Sequence, residues 1–183
     1  QRDYVDISVF NPSIYTAGTI NSAWNAFYKI VSRANLFLER VEHLEFNVED
    51  DAEEVDVKAT FMAEARFLRA YAYFELVRYW GRVPVATKSL SAAEAMSTPQ
   101  SEAQDVYEQV IIPDLQYAIE NMKERAYTSS GGIAESGRAT LPAAQALLGR
   151  VYLTMAGFPL YDTSKLSLAK EVLGEVITYA EKN

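Results

Sequence analysis

The chain has 183 residues, enough for one sizeable core or two small stacked units. Its 49% hydrophobic and 23% charged residues are the balance of a globular protein and exclude a disordered one. A net charge of −8 without a dense basic stripe excludes a nucleic-acid partner, and the absence of cysteine excludes disulfides, thiolate metal sites and cysteine nucleophiles.

The helical signal is strong and strand signals are nearly absent. Trp24, Phe27, Val31, Ala34, Leu38 and Val41 step by three and four, which predicts a first helix with one apolar face. Thr19, Asn21 or Ser22 is expected to cap its start. A second helix is predicted from about Ala52 to Trp80. It is apolar along two stripes, one through Phe61, Ala65, Leu68, Ala72, Leu76 and Tyr79 and the other through Ala63, Phe67, Ala70, Phe74 and Val77. A helix apolar on two sides is buried between neighbours. Gly81 and Pro84 end it. Residues 81–100 read as a connector. A third helix follows from about Ser101 to Arg125, and Pro113 inside it predicts a kink or a break. The composition of residues 126–139, with Ser129-Ser130-Gly131-Gly132, predicts a flexible loop. The fourth helix has Thr140 as N-cap and Pro142 in its first turn, and it ends at Gly157 and Pro159. No apolar run approaches the ~20 residues needed to cross a bilayer.

A fifth helix, 164–181, carries Leu166, Ala169, Val172, Leu173, Val176 and Ile177. The division expected is thus a helical hairpin at 20–80, the connector, a second hairpin at 101–158 and this last helix. An offset of 79 residues relates the hairpins: Tyr28 to Tyr107, Val31 to Val110, Asn35 to Asp114, Leu36 to Leu115, Ala65 to Ala144, Leu68 to Leu147, Ala70 to Gly149, Tyr73 to Tyr152 and Tyr79 to Phe158. The fold expected is all-α, a stack of helical hairpins resembling tetratricopeptide repeats with longer helices. In such an array each hairpin covers the one before it. The unpaired fifth helix therefore reads as the point where a longer natural chain continues.

Candidate chemistry is sparse. Arg66, Arg69 and Arg78 lie on the second helix with Glu64 and Glu75, and inter-helix ion pairs explain them better than an anion site; Glu75 and Arg78 are spaced to meet. The acidic run 49–54 suits a solvated helix start and lacks the ligand spacing of a calcium loop. His43 is the sole histidine and no Gly-x-Ser-x-Gly elbow accompanies it. Of the twelve tyrosines and two tryptophans, Trp24, Tyr73, Tyr107 and Tyr152 fall on helical stripes and read as core. Residues 1–18 are different: Tyr4, Phe10 and Tyr15 lie there beside Asn11, Asp3 and Asp6 without clean periodicity. Aromatic faces stack on sugar rings, and Asn and Asp give directional hydrogen bonds to hydroxyls.

The segment from Ala63 to Gly81, AEARFLRAYAYFELVRYWG, followed by Val83-Pro84, closely resembles the signature helix of the SusD/RagB family. Three further pieces resemble the family in order: Trp24 to Tyr28 with Ala34-Asn35, Val106-Tyr107 with Ile112-x-Asp114-Leu115, and Gly137-Arg138-Ala139-Thr140 with the run from Leu147 to Leu153. The resemblance implies a cell-surface lipoprotein of the outer membrane, without catalytic activity or cofactor. It would capture oligosaccharide or another nutrient and deliver it to a TonB-dependent, SusC-like transporter. Membrane association would come only through a lipid anchor, which this chain lacks. The helices would be scaffold and transporter-facing side. The stretch before the first helix contributes to ligand binding in the family, which points to Tyr4, Asn11 and Tyr15 as ligand contacts. The rival readings are a helical-repeat adaptor for a protein or peptide and an all-α glycosidase; the latter needs two facing carboxylates in a cleft.

Overall fold

A computed structural model describes residues 18–44, 57–122 and 137–182. Five long segments carry the fold: α1 (Gly18–Val41), α2 (Val57–Trp80), the composite third helix, α6 (Leu141–Ala156) and α7 (Lys165–Lys182). The connector holds strand β1 (Val83–Pro84), a short helix α3 (Ala92–Ser97) and strand β2 (Gln100–Ser101). The two short strands pair antiparallel, Val83 with Ser101 and Pro84 with Gln100, so the connector leaves the array and returns to the same place.

The third helix consists of α4 (Ala103–Val106), a π-helical turn at Tyr107–Ile111 and α5 (Ile112–Asn121). Pro113 lies just after the π turn. Its ring has no N–H to give and would crowd the carbonyl four residues back. The wider turn removes that conflict, with Ile112 N–H reaching Tyr107 O. The disruption predicted at Pro113 thus takes the form of a π turn. One other expectation changes. Helix α1 begins at Gly18, so Thr19, Asn21 and Ser22 lie inside its first turns and none is its N-cap. Thr140 takes the N-cap position of α6 as expected, with extended backbone and no side-chain capping bond. Gly81 ends α2 as expected: with φ of +71° its N–H bonds Val77 O at 2.8 Å.

Successive helices pack in chain order, α1 on α2, α2 on α5, α5 on α6 and α6 on α7. The array is all-α, with the main core running through Val31, Tyr73, Phe74, Leu76, Ile111, Leu115, Val151 and Met155. Most repeat-related positions share an environment: Val31 and Val110, Asn35 and Asp114, Ala65 and Ala144, and Tyr73 and Tyr152 are all buried. Tyr28 is half-buried where Tyr107 is buried, and Leu36 and Leu68 are exposed on the first hairpin where Leu115 and Leu147 are buried in the second. Their outward side has no neighbouring helix among the described residues, whereas α5 and α6 are flanked by α2 and α7.

Gly149 sets the closeness of α6 and α7. A Cβ built there runs into the Leu173 side chain. Overpacking of this kind costs about 1–3 kcal/mol. Gly149→Ala is expected to lower stability by that amount in chemical denaturation, and Gly149→Ala/Leu173→Ala to recover part of the loss.

Candidate functional site

Residues 84–89 make the most elaborate polar arrangement of the described structure. They have no strand partner beyond Pro84, yet side chains from α1 and α2 satisfy much of their backbone. Tyr28 donates its hydroxyl to Pro84 O at 2.7 Å. Asn35 donates Nδ2 to Ala86 O at 2.9 Å and to Lys88 O at 3.0 Å. Tyr73 donates its hydroxyl to Ala86 O at 3.0 Å and accepts from Ala86 N at 2.7 Å. Glu39 accepts from Ser89 N at 2.7 Å. Arg69 donates Nη1 to Thr87 O at 3.2 Å.

Arg69 is the hub. Its guanidinium is buried and forks onto Asp114, Nε to Oδ2 at 2.7 Å and Nη2 to Oδ1 at 2.8 Å, while Nη1 also bonds Asn35 Oδ1 at 2.7 Å. Burial pushes the Asp114 carboxyl up from its ordinary value, and Arg69 and Arg66 oppose that push. Arg66 lies over the Tyr117 ring at 4.1 Å with Nη1 at 3.7 Å from Asp114. The other charges of α2 are also paired. Glu75 takes both carboxylate oxygens to Arg78 at 2.9 Å, the meeting their spacing predicts, and Arg138 forks onto Glu64. These groups hold helices and connector together, the inter-helix pairing that the sequence favours over an anion site.

The pinned connector walls a cleft of ≈ 290 Å³ against α1, lined by Trp24, Tyr28, Ser32, Asn35, Ala86, Lys88, Leu90 and Thr98 among others. Its volume is at the small end for ligand pockets, about the scale of one or two sugar rings. Trp24 lies tilted on Tyr28 with ring centroids 4.7 Å apart and edge-on to Trp80 at 5.2 Å. Trp24 is thus half-buried at a cleft wall, while Tyr73, Tyr107 and Tyr152 are core as expected. The lining holds no carboxylate or imidazole, so its side chains can stack and hydrogen-bond but have no acid–base pair. Among the described residues no cluster of His, Cys, Asp or Glu could hold a metal ion, and no helix is long and apolar enough to cross a membrane.

Tyr4, Asn11 and Tyr15 lie outside the described residues, as do the acidic run 49–54 and the Ser129–Gly132 stretch. The cleft itself escapes sequence reasoning, because its wall is the connector. One local signal was present: Ser91-x-x-Glu94 is a capping box, with Glu94 N to Ser91 Oγ at 3.3 Å and Ser91 N to Glu94 Oε2 at 2.8 Å, and it starts α3 beside the cleft.

Residues 3–153 match the SusD-like family described as starch-binding and associating with the outer membrane. The chain belongs to the SusD-like family. A SusD-like protein of Bacteroides ovatus is 33% identical over 161 residues, covering 86% of this chain and 27% of that relative. The crystal structure of a SusD homolog from Bacteroides thetaiotaomicron superposes with a TM-score of 0.78 at 32% identity, over 89% of this chain and 30% of that one. A crystal structure with a xylogluco-oligosaccharide gives a TM-score of 0.70 at 31% identity, over 88% and 30% of the two chains. The chain therefore spans about 30% or less of the length of these SusD-like relatives.

Removing Arg69 from this network strands Asp114. Arg69→Met is expected to cost about 3–5 kcal/mol, the range for breaking a buried pair, and Arg69→Met/Asp114→Leu to cost clearly less than the two single changes combined. A double-mutant cycle by urea denaturation measures this. The tyrosines give a pH test. Burial pushes the Tyr73 and Tyr107 phenols up to about 12, against an ordinary value near 10. Between these values the unfolded chain loses protons that the folded chain keeps, so stability is full below pH ~10 and falls as pH rises towards ~12. Tyr73 alone accounts for roughly 2–3 kcal/mol of that loss. Absorbance at 295 nm is expected to show these phenolates only as helical circular dichroism disappears.

Proposed function

We propose that the protein is the binding component of an outer-membrane glycan uptake system, capturing oligosaccharide at the cell surface and delivering it to a TonB-dependent, SusC-like transporter. The observation that carries this reading is the match of residues 3–153 to a family described as starch-binding and outer-membrane-associated. The structure solved with a xylogluco-oligosaccharide supports glycan as the ligand class. The present chain serves mainly as scaffold and transporter-facing side. Tyr4, Asn11 and Tyr15 contribute ligand contacts ahead of α1. Capture and handover break no bond and use no cofactor, and the protein is held at the membrane by a lipid anchor.

One structural feature favours a second reading, a helical-repeat adaptor. Ile30, Ala34, Phe37, Phe61, Ala65 and Leu68 line an open, mostly apolar groove of ≈ 530 Å³ between α1 and α2. A peptide could lie in such a groove.

Calorimetric titration of the full-length protein and of the 183-residue chain with soluble starch, laminarin and xyloglucan oligosaccharides separates the two. Glycan binding by the full-length protein is expected, weakened about tenfold, or ~1.4 kcal/mol, by Tyr4→Ala or Tyr15→Ala and less by Asn11→Ala. No glycan binding, together with capture of a defined peptide that Leu68→Glu abolishes, would support the adaptor instead.

A further inference from the structure

We draw no further inference here: the strongest candidate, the outward face of α7 on which Leu166 and Ile177 are exposed, carries none because nothing in the structure shows what covers it.

Discussion

A buried guanidinium has to be fully paired, and Arg69 meets that requirement by drawing partners from three parts of the chain. Asn35 comes from α1, Thr87 from the connector and Asp114 from α5. Desolvating one cation is expensive, and here a single carboxylate balances it while a neutral amide and a carbonyl take the remaining donors. Each partner is placed within about 3 Å, so α1, α2, α5 and the connector cannot slide against one another without stranding the charge. Asn35 and Asp114 are equivalent in the two hairpins, yet their chemistry differs: Asp114 carries the charge that faces Arg69, with Arg66 also at 3.7 Å, and Asn35 supplies a neutral amide.

The same network shapes the only irregular wall the site has. Five side chains from α1 and α2 stand in for a strand partner along residues 84–89, so this part of the connector is pinned where its strand pairing stops. That pinning is what makes the cleft beside Trp24 a defined volume. Binding surfaces on loops gain affinity when the loop is ordered beforehand, since less conformational entropy is lost on association.

Periodicity made the helices legible, because burial of an apolar face leaves a local imprint every three or four residues. The stops at Gly81 and Pro113 were legible for similar reasons, since each acts on its own backbone. Pro113 announced a disruption but not its kind; a kink and a π turn remove the same clash. The caps proposed at Thr19, Asn21 and Ser22 failed because the helix had already begun at Gly18, and local propensity does not fix a boundary when several candidates adjoin. The connector was illegible for a different reason. Its bonds join residues 13 to 56 positions apart, from Tyr73 to Ala86 and from Tyr28 to Pro84, and no local pattern records such a pairing. Asn35 stood out as a polar residue on an apolar stripe, but its partners did not. Family resemblance supplied what periodicity could not, the ligand class proposed for the chain.

The repeat also separates the residues that build from those free to recognise. Tyr73 and Tyr152 are both buried, while Tyr79 and Phe158, six residues later in the same frame, are both exposed. Six residues are less than two helical turns, so the change from packed interior to exposed end falls at the last turns of α2 and just past the end of α6. Interior positions are held by two hairpins at once, and a change there disturbs the stack. End positions are more exposed, with Tyr79 against Phe27 and Trp80 and Phe158 against Tyr161, and a change there disturbs the stack less. The array thus supplies a fixed frame, and positions at its ends can vary at less cost to it than those in its interior.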